Sequence, residues 1–403
     1  MIDHRVEIVV AGHICLDIIP SLDGVGGGLA GLLVPGRLVN VGAAVTATGG
    51  TVSNAGLALH RLGVPVGLMG KVGDDLFGRA VLYLLRRQGP HLADGMIVRD
   101  DEPTSYSVVI SPPGVDRIFL HCPGANDTFS ADDIDYRRLD GARLFHFGYP
   151  PIMRRMFEDG GSELADMLGR VRDRGLTTSL DMSLPDPASP SGRADWPAIL
   201  RRSLPRVDLF APSIDEILFM LDRPRFERML GEPGSSDVAG AVTGELLGAT
   251  AATLIEMGAA LVALKLGDRG LYLRTTPDRD RLVAAGAAAP ADLDAWRGRE
   301  LLSTCFQADL VGTTGSGDCT IAGLLLGLTR GFSPEQALTA AVAVGACSVE
   351  AADATTGVVP WPDIQRRLGS GWRRHRLALP LPGWRLDEPT GLHVGPSDAG
   401  CLA

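Results

Sequence analysis

The segment Val311-Gly312-Thr313-Thr314-Gly315-Ser316-Gly317-Asp318 runs directly into a small-residue stretch, Cys319 to Leu326, with helical character. Closely spaced small residues let successive backbone N–H groups converge on one point. The positive end of a helix starting there adds to their pull on negative charge, so a phosphate undergoing transfer is a natural occupant. On this reading Gly315, Ser316 and Gly317 form an anion hole, and Asp318 at its mouth accepts the proton of an attacking hydroxyl. The same residues also suit an ordinary helix N-terminus capped by Ser316 or Asp318. The segment lacks the Gly-Lys-Ser/Thr ending of a P-loop, and Gly70-Lys71 is followed by Val72. A kinase built on this chain is therefore not of the Walker type.

A second segment lies far upstream. Thr48-Gly49-Gly50-Thr51-Val52-Ser53-Asn54 leads through Leu57, Leu59 and Leu62 to Gly63, and then to Val72-Gly73-Asp74-Asp75-Leu76-Phe77-Gly78. Gly49 and Gly50 allow close backbone approach to a small polar ligand, and Asn54 offers both a donor and an acceptor to hydroxyls. A plain turn followed by an Asn54 cap is the alternative; the helix is expected to begin at Asn54 and close at Gly63.

Together, in this order, the two segments resemble the ribokinase-like carbohydrate kinases of the PfkB family, with a Gly-Gly-x-x-x-Asn substrate motif upstream and an Asp-Thr-x-Gly-Ala-Gly-Asp signature downstream. The resemblance implies an ATP-dependent phosphotransferase acting on a sugar or nucleoside, with Mg²⁺ as cofactor. Asp17, in Gly12-His13-Ile14-Cys15-Leu16-Asp17, matches the family's substrate aspartate and joins Gly49, Gly50 and Asn54 as substrate-binding residues. Lys265-Leu266-Gly267-Asp268-Arg269-Gly270 matches the segment bordering the nucleotide, giving Lys265, Gly267 and Gly270; a tight turn between two strands fits as well. Ser348, ending the small-residue run from Ala341, is assigned to the adenine side by the resemblance alone. Glu216 falls in the Asn-x-x-Glu motif tied to Mg²⁺ and its waters, although Ser213 replaces the asparagine, and a Ser213–Glu216 capping box explains the pair equally well. Ser183, in Asp181-Met182-Ser183, is a second serine in place of asparagine. Gly312 stands where the signature usually has an aspartate that in many members helps bind a monovalent cation.

The elements that would position these residues alternate. Strand signals at Val6–Val10, Val66–Met69, Arg143–Phe147, Thr177–Leu180 and Ala260–Lys265 are interleaved with helical spacing at Gly78–Gln88 and Gly161–Arg174. That rhythm predicts a three-layer α/β/α fold around a mainly parallel sheet, with ligands at strand C-terminal ends. Thr104–Ile110 and Asp116–His121, around Pro112-Pro113-Gly114, break it and read as a hairpin; Leu32–Val34 and Leu38–Val41 offer further strands. In the resembled family a small β lid covers the sugar, so the expected organisation is a kinase domain over 1–370 with lid segments at about 14–45 and 96–124. Residues 371–403 form a C-terminal extension without a matched motif. Lids in the family often pair, which allows a homodimer.

The chain has 403 residues, 45% hydrophobic and 21% charged, with a net charge of −10. Ample apolar material for a core, no basic stripe and no apolar run of membrane-spanning length point to a soluble, cytoplasmic enzyme that binds neither nucleic acid nor membrane. Cys15, Cys122, Cys305, Cys319, Cys347 and Cys401 lack CxxC spacing and read as reduced, packed thiols. Gly26 to Gly31 contains GxGxxG, which would suit an NAD enzyme, but Pro35 stops any following helix and no acid stands near residue 51 for the ribose. A non-catalytic sugar or nucleotide sensor on the same fold is the other alternative. Hexose, pentose, ketose and nucleoside acceptors are not distinguished by these residues.

Overall fold

A computed structural model describes residues 6–22, 32, 34–111, 118–231 and 238–401. The glycine run at Gly26–Gly31 and the Pro112–Gly114 turn lie outside the described residues. Six strands run parallel in the spatial order Val66–Met69, Ile8–Gly12, Leu144–Gly148, Thr177–Asp181, Leu209–Phe210 and Leu261–Lys265. The sheet then continues antiparallel through Leu271–Thr275, Glu300–Ser303, Leu392–Val394 and Arg385–Asp387.

Alternate residues of these strands enter two separate cores. Ile8, Val10, Leu261 and Ala263 pack with the helices Thr51–Arg61, Ser316–Thr329 and Pro334–Ser348. Val9, Ala11, Val262 and Leu264 pack on the opposite face with Ser162–Arg172, Trp196–Ser203, Ile214–Leu221 and Gly244–Glu256. Helices on both faces explain why the parallel strands read as continuous apolar runs rather than as alternation. The arrangement is the three-layer α/β architecture expected from the sequence. The small residues of Pro334–Ser348 serve a close helix–helix contact: a Cβ on Gly323 would stand 2.7 Å from the Ala340 carbonyl oxygen, and one on Gly345 would run into Thr320 Oγ1.

A separate four-stranded sheet stands at one end. Cys15–Pro20 pairs antiparallel with Ala44–Gly49 and parallel with Tyr106–Ile110, which pairs antiparallel with Ile118–Cys122. The expected strand at Leu38–Val41 is absent; residues 34–43 have no strand, and the pairing element is Ala44–Gly49 instead. Its β-branched Val45, Thr46 and Thr48 suit a pleated edge, and it ends at Gly49, where the chain passes Asp17. The helix expected from Asn54 begins at Thr51 with Gly50, at φ +85°, in the cap position.

The C-terminal segment closes the antiparallel edge. Leu392–Val394 pairs with Glu300–Ser303, the Ser397 N–H donates to Glu300 Oε2 at 2.8 Å, and Asp398 Oδ2 accepts from the Glu300 N–H at 2.8 Å. A sheet edge that would otherwise present unpaired backbone is thereby covered. Among the described residues no helix is long and apolar enough to cross a membrane.

Candidate active site

The C-terminal ends of the parallel strands open into a cleft of about 1080 Å³, the position that an open α/β sheet offers for ligands. His13 follows the strand Ile8–Gly12, Tyr149 follows Leu144–Gly148, Asp181 ends Thr177–Asp181 and Lys265 ends Leu261–Lys265. The lid contributes Asp17 and Ser107, and the helix Ser316–Thr329 points its N-terminus into the same space.

At that N-terminus Gly315 adopts φ +69°, a left-handed conformation that glycine takes without strain. The N–H of Cys319 makes the helical bond to Gly315 O at 2.9 Å, so the N–H groups of Gly317 and Asp318 lie ahead of it, oriented as a helix-start anion site requires. A Cβ built on Gly317 would stand 3.4 Å from Lys265 Cδ and 3.7 Å from its Nζ, which places the ammonium beside this nest. Lys265 Nζ also donates to Asp181 Oδ1 at 2.6 Å, while Asp181 Oδ2 is buried without a partner. Burial pulls the Lys265 ammonium down, but Asp181 and Glu216 outweigh it, and the lysine stays charged.

Asp318 is buried, and its Oδ2 accepts from Asn54 Nδ2 at 3.0 Å and from the Tyr149 hydroxyl at 2.7 Å. Its Oδ1 has no partner, and neither has Asn54 Oδ1. Buried oxygens left open at the floor of a cleft are where a ligand's hydroxyl can be received. Burial raises the carboxyl above its ordinary value, opposed by the donors Tyr149 and Asn54 and by Lys265. A more basic carboxylate is the better proton acceptor.

The lid end is built differently. Asp17 lies on the strand Cys15–Pro20 opposite Ala47, and its side chain reaches along the partner strand to Gly49, where any Cβ would meet its Oδ2 at 2.3 Å. Gly50 gives the same clearance to His13 Nδ1 and to the His13 carbonyl, each 2.5 Å from the position of a Cβ. Cys15 Sγ donates to Asp17 Oδ1 at 3.3 Å, and burial pushes the Asp17 carboxyl up to about 6. The rings of His13 and His121 meet at 3.4 Å, Nε2 to Nε2, and His121 Nδ1 lies 3.0 Å from Ser107 Oγ. Burial, and His121 beside it, hold His13 well below its usual range, so it is neutral.

The geometry thus gathers Asp17, Gly50, Asn54, Glu216, Lys265, Gly267 and Gly315 to Asp318 around one cleft. Glu216 is both a cap and a wall: its Oε2 accepts from the Ser213 N–H at 2.6 Å, Ser213 Oγ accepts from the Glu216 N–H at 3.2 Å, and both side chains line the cleft. Three residues stand apart, the first of them Gly49, which packs against the Asp17 carboxylate and does not line the cleft. Ser348 does not line the cleft; it is buried and its hydroxyl donates to Gly345 O within its own helix at 2.8 Å. Gly270, at φ +116° and packed on the Ser303 carbonyl, serves the turn between two strands. Tyr149, His13, His121 and Ser107 belong to none of the sequence motifs' assigned site positions, yet they line the cleft. A tyrosine directly after a buried apolar strand and before Pro150-Pro151 was the available signal for the first, because strand ends face the ligand. Among the described residues no three His, Cys, Asp or Glu side chains form a metal-binding group.

Residues 6–362 match the family model of the pfkB family carbohydrate kinases. The chain belongs to that family. As a carbohydrate kinase it is 24% identical over 280 residues to an uncharacterized sugar kinase of Archaeoglobus fulgidus, covering 70% of this chain and 89% of the relative. It is 25% identical over 318 residues to the 2-dehydro-3-deoxygluconokinase of Bacillus subtilis, covering 75% and 80%. Among solved structures, an ATP-bound fructokinase from Xylella fastidiosa superposes at a TM-score of 0.66 with 16% identity over 90% of this chain and 98% of that one. A ribokinase of Arabidopsis thaliana complexed with ribose and ATP gives 0.63 and 18% over 90% and 99%. At such identities these structures establish that the kinase has the ribokinase-like fold.

Proposed function

We propose that this carbohydrate kinase transfers the γ-phosphoryl group of ATP to a hydroxyl of a sugar, with Asp318 as general base and the 315–318 backbone as anion hole. The observation that carries the reading is the Asp318 carboxylate: one oxygen is held by two donors, the other is buried and unpartnered beside the helix N-terminus. The acceptor O–H bond breaks as its proton passes to Asp318 Oδ1. The oxygen forms a bond to the γ-phosphorus while the bond from that phosphorus to the bridging oxygen breaks, and ADP leaves with the electron pair.

Asp17, Asn54 and the Gly50 backbone hold the sugar under the lid, with Gly49 giving the Asp17 side chain its room. Lys265 and the Gly267–Gly270 turn border the nucleotide, whose γ-phosphate the N–H groups of Gly317 and Asp318 receive. Retaining Lys265 as a cation next to Gly317 stabilises charge that builds on the transferred group. Ser348, sealed into its helix, is left to packing. The hard oxygens of Glu216, in the wall of the cleft, fit a hydrated Mg²⁺ held through water. When bound, that ion would offset the negative charge of the phosphates. The structures of a fructokinase with bound ATP and of a ribokinase complexed with ribose and ATP support ATP and a sugar as the two substrates.

The test is a panel of hexoses, pentoses, ketoses and nucleosides with ATP, followed by mapping of the phosphate on the product. On the best acceptor, Asp318→Asn should lower kcat by ~10²–10⁴-fold with nucleotide affinity nearly intact, the range for loss of a general base. Near-normal turnover of that variant would remove Asp318 from the chemistry.

A further inference from the structure

Tyr149 is one of two non-glycine residues with positive φ among the described residues, at φ 70° and ψ 40°. A bulky side chain in that region is strained, and such strain persists where the surroundings fix it. The residue directly follows the central strand Leu144–Gly148, and its carbonyl accepts from the Ile152 N–H at 3.1 Å, which ties the turn down. The left-handed turn delivers the phenol to Asp318 Oδ2 at 2.7 Å, shorter than the 3.0 Å bond from Asn54 to the same oxygen.

We infer that Tyr149 is a positioning residue for phosphoryl transfer: by occupying Asp318 Oδ2 together with Asn54, its hydroxyl leaves Oδ1 as the atom that takes the acceptor's proton. This rests on the assignment of Asp318 as base. A carboxylate has two oxygens of similar basicity, and a base that must meet one hydroxyl in one orientation gains by having the other oxygen filled. Asn54 alone cannot do this, because its amide is shared with the sugar side, where its own Oδ1 is open. Tyr149 keeps its proton throughout, since desolvation and the neighbouring Asp318 hold the phenol well above its ordinary value. It therefore acts as a fixed donor and takes no part in the proton balance of the transfer.

Other groups also face Asp318. Lys265 comes from the end of one strand, Asp181 from the end of another, Glu216 from the first turn of Ile214–Leu221, and Cys319 is its neighbour on the helix. Removing the phenol oxygen changes none of these. It withdraws a donor from the ionised form alone, so the proton is held more tightly.

The experiment compares kcat against pH for wild type, Tyr149→Phe and Asp318→Asn, with the best sugar and ATP saturating. Tyr149→Phe should move the acidic limb of kcat upward by ~1 unit, the scale of one hydrogen bond to a carboxylate, while KM for the sugar changes little. Incorporation of 3-fluorotyrosine at position 149, a stronger donor with the same shape, should move the limb the opposite way, and it supplies the answer if Tyr149→Phe does not fold. Limbs of both variants coincident with wild type would overturn the inference while Asp318→Asn remained inactive. An active Asp318→Asn would instead overturn the base assignment on which the inference rests.

Discussion

Under the proposed function the two ends of the cleft receive their ligands by different means. At the phosphate end the receiving groups are largely backbone, drawn from one continuous turn, Gly315 to Asp318, and backed by a single lysine. At the lid end they are side chains, His13 and Asp17 from one short stretch and Ser107 and His121 from a distant pair of strands. Backbone recognition tolerates little change in conformation and much in side-chain identity; side-chain recognition does the reverse. The proposed phosphate end is thus suited to an invariant ligand, and the lid end to the variable one. Asn54 and Tyr149 sit between them, because both reach Asp318.

The sharpest way to break that contrast is at Gly317. Unlike Gly315, whose Cβ would stand 2.5 Å from Ala354 Cβ at a left-handed φ, Gly317 has ordinary helical geometry and only the Lys265 side chain nearby. Gly315 substitutions would therefore test the fold, whereas Gly317→Val pushes a branched side chain into the nest and against the ammonium with the helix kept. Loss of one backbone donor to developing charge costs ~10²–10³-fold in kcat. We expect a loss of that size with a near-normal melting temperature and sugar binding retained, measured by single turnover and calorimetry. A folded Gly317→Val enzyme with an unchanged rate would mean that the helix start is only a cap.

Asp17→Ala probes the other end. It removes a charged acceptor of sugar hydroxyls, and a hydrogen bond to a charged group is worth about 1.5–3 kcal/mol, so the acceptor KM should rise by ~10–10²-fold with kcat and ATP affinity much less affected. Asn54 is not equivalent. As a donor to Asp318 it belongs to both ends, and Asn54→Ala should raise KM and lower kcat together. A pure KM effect there would place Asn54 wholly at the sugar end and leave Tyr149 as the main partner of the base.

What could be read from the chain follows the same division. Contiguous features are legible: the buried parallel strands from their apolar runs, the helix start at Gly315–Ser316 from its small residues, and the turn at Gly267–Gly270 from its two glycines. The role of Gly49 and Gly50 was read as room for a ligand, and the geometry adds that they first make room for Asp17 and His13. The strand expected at Leu38–Val41 lies instead at Ala44–Gly49, whose register is fixed by pairing with Cys15–Pro20, a non-local contact that the apolar content of either segment does not encode. The contact of Tyr149 with Asp318 and that of His13 with His121 join residues whose sequence separation is large. No local periodicity encodes such a pair; it depends on which strand ends the sheet order brings together. Ser348 failed for the opposite reason, since a small-residue helix looks alike whether it borders a ligand or, as here, packs on the helix Ser316–Thr329.

The smallest expected effect concerns the charge state of the lid end. Burial raises the Asp17 carboxyl to about 6, so the form able to accept two hydroxyl protons is depleted as pH falls through that value. The kcat/KM for the sugar should consequently fall ~10-fold for each unit of pH below 6, a limb belonging to the free enzyme, while the limb set by Asp318 shows in kcat. In stability the sign is reversed. A carboxyl raised in the fold from an unfolded value of about 4 favours the folded state most at low pH, and that contribution is lost as pH rises through 6. Asp17→Asn should therefore remove the kcat/KM limb, raise the melting temperature at pH 7, and leave it nearly unchanged at pH 4. A variant that lost the limb without gaining stability at neutral pH would show that Asp17 is already compensated in the free enzyme by Cys15 and Ser107, and that the contrast between the two ends lies in geometry rather than in the burial of charge.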